Sequence, residues 1–294
     1  MVLKVGILTR NREAWCSREL YRAMEKGNIK PIFLEFPRIT ARVKSEPKVT
    51  FGHYDLTRDT DAIIVRPIGR GSLEEIIFRM DLLYRLKRQG IFVINDPQAI
   101  EKAVDKYRAL TILEEMGMPV PRTAVTENPG QALNAFHELG GDVVVKSIFG
   151  SRGMGMTRVT DPEAAMRVFQ TLAFYHHVLY LQEFVPHGTS DIRAFVLGSE
   201  VIASMRRVGT GWKSNVAQGA TPVPYELGHE LREMVIKATE ILGCEMAGVD
   251  IIEGSDASLI TEINSQPGWR GLQSTTETNI AEEIVNYILR RLRS

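Results

Sequence analysis

The stretch 247–268, AGVDIIEGSDASLITEINSQPG, constrains this chain more than any other. It reads as two strands joined by a tight turn. Val249, Ile251 and Ile252 fall in the first strand, Leu259, Ile260 and Ile263 in the second, and Gly254, Ser255 and Asp256 at the bend. Side chains alternate faces along a strand, so Glu262 and Asn264 share one face while Thr261 and Ile263 share the other. A register that sets Asp250 across from Glu262 gathers two carboxylates and an amide on one patch. A slip of one residue would send Asp250 to the opposite face. Oxygen donors of this kind suit magnesium, a hard cation that shares its shell with water and phosphate. The alternative is a solvated sheet face with scattered acids, and the hairpin alone leaves both readings open.

A chain of 294 residues exceeds one ordinary core, so two or three packed units are expected. Strands at 2–8, 30–35 and 62–65 with a helix at 13–26 predict an N-terminal α/β domain with a parallel sheet. Gly6 stands alone and builds no dinucleotide fingerprint. The segment RPIGRG, Arg66 to Gly71, follows a strand where open α/β sheets place ligands. Its two arginines could hold a carboxylate or phosphate, or the segment is a plain surface turn. Asp96 and Pro97 cap and start a helix predicted to run unbroken to Met116, with Ile100, Ala103, Val104, Tyr107, Leu110 and Leu113 at helical spacing. Lys106 on that helix reads most simply as a solvated charge. Met118 to Pro121, MPVP, reads as a stiff connector into a new domain.

The strand Val143 to Lys146 runs into IFGSRGMGM, which places Gly150, Gly153 and Gly155 just after a strand lysine. Glycines let backbone amides wrap phosphate oxygens, and the lysine adds a point charge. The pattern is not that of a P-loop, and a glycine-rich loop alone is weak evidence. A strand at 179–185 followed by Pro186 and Gly188 suits a hinge whose backbone meets a flat base edge. The hairpin 193–205, turning at Gly198 and Ser199, leads to Arg206, Arg207, Lys213 and Asn215 with no acid among them. Lys plus Arg equals Asp plus Glu at 36 each, so this local positive charge either seeks an anionic partner or is a solvated loop. The overall balance argues against a nucleic-acid coat. No apolar run approaches bilayer length, and the apolar start MVLKVGILTR is too short for a signal peptide. Cys16 and Cys244 lie far apart without metal spacing, which points to a reducing, cytoplasmic compartment. The six histidines show no ligand spacing and read as structural or surface residues. Helices are expected at 226–242 and from Asn279 onward, where Glu282 follows in capping-box style.

Taken in order, these motifs resemble the ATP-grasp superfamily, and more closely its RimK-like branch of glutamate ligases. The resemblance runs over essentially the whole chain. It is densest in VDKYRAL, VVVKSIFGSRGMGM, LQEFVPHGTSDIRAFVLGSEVIASMRRVGTGWKSNVAQGA, AGVDIIEG and ITEINSQPGWRGL. It implies an ATP-grasp fold of α/β and α+β parts behind an N-terminal, Rossmann-like pre-ATP-grasp α/β domain, with units at 1–97, 98–180 and 181–294. By position, Lys106 and Lys146 would contact the nucleotide, and Gly150, Ser151, Gly153 and Gly155 would close over its phosphates. Gln182, Glu183, Phe184 and Val185 would meet adenine, and Asp191 the ribose side. Arg207, Lys213 and Asn215 would address the phosphates and the reacting acyl group, with Arg207 and Asn215 catalytic. Asp250, Glu262 and Asn264 would hold magnesium or manganese, as two ions. Position 206 departs from the usual residue of the branch, which leaves Arg207 as the catalytic arginine.

The implied reaction joins L-glutamate to a small-molecule carboxylate acceptor through an acyl phosphate, in a homo-oligomer, dimer or tetramer, with no nucleic acid or membrane partner. DIRAFV, WKSNVAQG and EINSQPGW resemble most the members that act on a tetrahydromethanopterin-type one-carbon cofactor. Alternatives within the branch are a ribosomal or carrier protein tail, methylofuran or a deazaflavin. A rival from another class is a nucleotide-binding regulator without ligase activity. It would tolerate decay at the metal set or the arginine, and neither is decayed.

Overall fold

The computed structural model describes residues 2–150, 155–213, 216 and 219–293. The first sheet is parallel, in the order β2-β1-β6-β7, built from β1 (Lys4–Leu8), β2 (Lys30–Leu34), β6 (Ala62–Val65) and β7 (Phe92–Ile94). Between β2 and β6 lies a small antiparallel sheet of β3 (Ile39–Ala41), β4 (Val49–Phe51) and β5 (Tyr54–Asp55). The run Ala62-Ile63-Ile64-Val65 is buried along its whole length, as a strand covered on both faces requires. Its covers are α1 (Trp15–Lys26), the one-turn α2 (Leu56–Asp59) and α3 (Leu73–Arg88). Sequence reading had not foreseen α3, although Ser72 and Glu75 form a full capping box at its start.

The predicted single helix from Pro97 to Met116 is two helices, α4 (Pro97–Val104) and α5 (Lys106–Glu115). Asp105 breaks it. Its backbone is extended (φ −89°, ψ 104°), and its carboxylate accepts the Arg108 amide at 3.1 Å, which starts a new helix. The break resets the helical face, so Val104 and Tyr107, read from spacing as core positions, are exposed. It also places Lys106 in the first turn of α5, pointing inward.

The central sheet is antiparallel, in the order β10-β9-β11-β8, from β8 (Thr123–Thr126), β9 (Val143–Lys146), β10 (Thr157–Val159) and β11 (Leu179–Glu183). It is backed by α6 (Pro129–Glu138) and α7 (Pro162–Phe174). The C-terminal sheet, order β14-β13-β12-β15-β16, comprises β12 (Ser190–Leu197), β13 (Glu200–Val208), β14 (Thr221–Pro224), β15 (Met246–Glu253) and β16 (Ser258–Asn264). Helix α8 (His229–Leu242) ends on Gly243 at φ 77°, a left-handed cap that glycine adopts without strain. After β16 come the short α9 (Arg270–Gln273) and the final α10 (Ile280–Arg293), where Asn279 accepts the Glu282 amide at 3.2 Å as expected. Among the described residues no helix is long and apolar enough to cross a membrane.

The first and last parts of the chain share one core. Ile7, Leu20 and Met24 pack with Phe195, Met246, Trp269 and Ile284. Asn95, wholly buried, stitches the seam. Its amide donates to the carbonyls of Met246 (2.6 Å) and Ser265 (2.5 Å), and its oxygen accepts the Met246 amide (2.8 Å). Asn95→Ala would strand three buried backbone groups. It should cost about 3 kcal/mol, read as a lower urea midpoint at unchanged slope. A loss under about 0.5 kcal/mol would show that this stitch does not hold the seam.

Candidate functional site

The hairpin β15–β16 has the register that gathers its donors. Asp250 pairs with Glu262 and Gly248 with Asn264, with a bulge just beyond Asp250. In the amide orientation that satisfies both neighbours, Asn264 donates to Glu262 Oε1 (3.1 Å) and accepts from Arg193 Nη1 (2.9 Å). The donors are all oxygen, two carboxylates and an amide, which fits a small hard cation. Among the described residues no three His, Cys, Asp or Glu side chains cluster as a metal site, and only with the Asn264 amide would this patch offer three oxygen donors.

Asp250 is 7% exposed and held by two guanidinium groups, Arg193 Nη1 at 2.6 Å and Arg207 Nη2 at 3.2 Å. Burial opposes its charge, but the two arginines outweigh burial and hold its carboxyl below the usual range. Arg207 also grips Asp191 with two parallel bonds of 2.6 and 2.5 Å. Burial works against the Arg207 cation as well, and Asp250 and Asp191 more than restore it. Arg206 leaves this face, pairing with Glu253 at 2.7 Å and stacking on Tyr225. Arg207 thus lies on the face of Asp250 and Arg206 on the opposite one.

Arg193 was missed in the sequence. It follows Asp191 by two on β12, hence on the same face, and stands directly across from Asp250. Only the first of these is visible in the sequence; the pairing with Asp250 comes from the structure. A Cβ at Gly248 would lie 2.3 Å from the Arg193 guanidinium, so glycine there leaves the space in which Arg193 reaches Asp250.

Lys106 is no solvated charge. It donates to the Gly150 carbonyl at 2.8 Å and lies 3.7 Å from Glu262 Oε1, which links α5, the glycine-rich loop and the hairpin. Lys146 donates to Gln182 Oε1 at 2.5 Å, and Gln182 donates in turn to the Thr123 hydroxyl at 3.0 Å. Burial pushes the Lys146 pKa down from 10.5 to about 8; Glu262 and Asp250 partly restore it, while Lys106 opposes. At the end of β11, the Glu183 carboxylate turns to the Arg122 backbone amide and side chain (2.8 and 2.6 Å). Phe184 lies under the Arg158 guanidinium at 3.5 Å. His187 sets Nδ1 2.7 Å from the Val185 carbonyl and Nε2 3.1 Å from the Trp212 carbonyl, and Lys213 donates to the Met156 carbonyl at 2.8 Å. Thus the segment after β11, the end of the glycine-rich loop and the basic loop are tied together, with Gly155 at φ 77° in the second. Ser151, Gly153 and Asn215 lie outside the described residues. A separate cavity of about 160 Å³ opens at the carboxyl ends of β1, β2 and β6, lined by Arg10, Glu35, Phe36, Pro37, Ile68 and Arg79.

A family model described as the RimK-like ATP-grasp domain matches residues 103–288, and one described as the RimK PreATP-grasp domain matches residues 3–100. A tetrahydromethanopterin:alpha-L-glutamate ligase of Methanococcus maripaludis is 34% identical over 98% of this chain and 98% of its own. The protein of the same name from Methanosarcina acetivorans is 32% identical over 97% and 98%. Among solved structures, the ATP-grasp ligase PsnB complexed with minimal precursor, Mg and ADP superposes with a TM-score of 0.77 at 18% identity, covering 98% of this chain and 97% of that one. At that identity the likeness shows the fold.

A lysine whose folded pKa lies below its free value is disfavoured as a cation in the folded protein. This penalty is complete below about pH 8 and fades as pH rises toward 10.5. If ATP sets a phosphate beside Lys146, that charge reverses the shift, and binding near pH 8.5 should draw in a fraction of a proton. Calorimetry in buffers of different ionisation enthalpy reads this directly, and Lys146→Met should abolish it. Uptake that persists in the variant would place the titrating group elsewhere.

Proposed function

The chain belongs to the RimK-like ATP-grasp family, and on that footing we propose that it joins the amino group of L-glutamate to a carboxylate of a tetrahydromethanopterin-type cofactor, cleaving ATP to ADP and phosphate. The observation that carries the reading is the gathering of Lys106 from α5, Lys146 from β9, and Arg193 and Arg207 around Asp250, Glu262 and Asn264.

A carboxylate is a poor acyl donor. One of its oxygens attacks the γ-phosphorus of ATP, a P–O bond forms, and ADP leaves. The glutamate amine then attacks the acyl carbon, a C–N bond forms, phosphate departs, and the amine's surplus proton passes to phosphate or water. The protein positions groups and offsets charge. Lys106, Lys146 and Lys213 address phosphate oxygens, and the loop holding Gly150, Ser151, Gly153 and Gly155 closes over them. Backbone from Gln182 to Val185, including Glu183 and Phe184, meets adenine, with Asp191 toward the ribose. Arg207 faces the oxyanion that develops on the acyl carbon, its plane already fixed by Asp191 and Asp250 so that little reorganisation is needed. The resemblance gives Asn215 a catalytic role as well. Magnesium held by Asp250, Glu262 and Asn264 would draw phosphate charge away from the attacking oxygen, and manganese suits the same donors. Two ions, a homo-oligomer, a cytoplasmic location and the unit boundaries near 97 and 180 complete this reading and rest on the resemblance and on thiol usage.

Given ATP, magnesium, L-glutamate and a tetrahydromethanopterin acceptor, the protein should release ADP and phosphate in equal amounts while the acceptor gains one glutamyl mass or more. Glu262→Ala should lower turnover on the order of 10²–10³-fold with the fold intact by circular dichroism. AMP and pyrophosphate among the products would contradict the acyl-phosphate route. Turnover on a protein tail, with none on any pterin, would overturn the acceptor.

A further inference from the structure

Four arginines are buried among the described residues: Arg66, Arg79, Arg193 and Arg207. Three have a carboxylate partner, Glu75, Asp250 and Asp191 respectively for Arg79, Arg193 and Arg207. Arg66, 4% exposed at the end of β6, forms no ion pair among the described residues. Its Nη2 donates to the Pro267 carbonyl at 2.8 Å, and its guanidinium stacks 4.8 Å above the Trp269 ring. Its Nη1 has no partner. Two further buried donors on that same loop, Gln266 Nε2 and Trp269 Nε1, are likewise unmatched. Buried donors in folded proteins find acceptors, and a buried cation finds an anion. Three unmatched donors on two touching segments call for acceptors, and the unpaired charge of Arg66 calls for one that is an anion.

The loop is fixed. Trp269 is 1% exposed, set edge-on to Trp15 and Phe195, and Asn95 holds the Ser265 carbonyl. Gln266 follows Asn264 by two residues, which keeps it within on the order of 7 Å of the donor patch along the chain. In the ligase reading, on which this inference rests, the acceptor's carboxylate lies at the γ-phosphate. The incoming glutamate brings two carboxylates that pass through the reaction unchanged. At least one must be neutralised within a side chain's length of its amine.

We propose that Arg66, Gln266 and Trp269 form the subsite for an unreacted carboxylate of the L-glutamate substrate. Arg66 supplies the charge, the two neutral donors supply direction, and Trp269 holds the guanidinium plane. The sequence segment RPIGRG thereby serves a ligand through its first arginine, and the N-terminal domain contributes to amino-acid recognition.

The test is steady-state kinetics with L-glutamate, L-glutamine and L-glutamate α-amide, each amide neutral at one carboxylate. Arg66→Met should raise the glutamate KM on the order of 10²-fold and leave the ATP KM unchanged. The wild-type preference for glutamate over one of the two amides should collapse in the variant. Gln266→Leu, which spares the domain contact should Arg66→Met fail to fold, should raise the glutamate KM about fivefold and weaken the same preference. The subsite is overturned if both variants keep the wild-type glutamate KM, if the rise falls on ATP or the acceptor instead, or if preference over both amides persists. Wild-type turnover is read in the same assay. Its absence would remove the ligase reading and the subsite with it, whereas normal wild-type turnover with unaltered variants removes the subsite alone.

Discussion

Asp250 sits nearly out of water between two arginines, and the rest of the site is arranged around that charge. A lone carboxylate in such a place would be driven neutral; with Arg193 at 2.6 Å and Arg207 at 3.2 Å it stays ionised. Each arginine then has a second obligation. Arg207 is clamped by Asp191 on the neighbouring strand, and Arg193 donates to Asn264 across the hairpin. The cluster spans β12, β13, β15 and β16, so the register of four strands and the orientation of the charged groups depend on each other. Removing one partner would leave a buried charge uncompensated. Such a cluster is ready for charged reactants before they arrive, which is what electrostatic catalysis requires.

Much of this was legible from residue order. The hydrophobic residues at 249–263 announce two strands with acids among them, but the register that sets Asp250 across from Glu262 was left open by the sequence, because a bulge just beyond Asp250 interrupts the alternation. Lys146 and its glycine-rich loop carry their own local signal. Arg193 was not legible in the same way, because an arginine in a central strand makes sense only once its carboxylate partner is known, and that partner lies 57 residues away. Lys106 was misread for a related reason. Helical periodicity treated 97–116 as one rod, whereas Asp105 offers a cap that competes with helix continuation and turns Lys106 inward. The start of helix α3 is legible in the capping box of Ser72 and Glu75. Ser151, Gly153 and Asn215 lie outside the described residues, and their roles rest on the resemblance.

The N-terminal domain is no appendage to this chemistry. Its core continues into the C-terminal sheet through Phe195, Met246 and Trp269, and Asn95 fastens the loop that follows the donor patch. Arg66 reaches that loop from the other side. The loop from Ser265 to Trp269 is thus gripped by two segments of the N-terminal domain, while Asn264 at its start belongs to the donor set. Substrate recognition by one domain and charge neutralisation by another are joined through five residues of chain.

The central claim is that the acceptor's carboxylate is phosphorylated before the amine attacks. The direct measurement is to label that carboxylate with ¹⁸O, allow turnover with ATP, magnesium and L-glutamate, and analyse the products by mass spectrometry. The acyl-phosphate route predicts one ¹⁸O per turnover in inorganic phosphate and none in the nucleotide. Label in AMP, or unlabelled phosphate alongside formed amide, would contradict it.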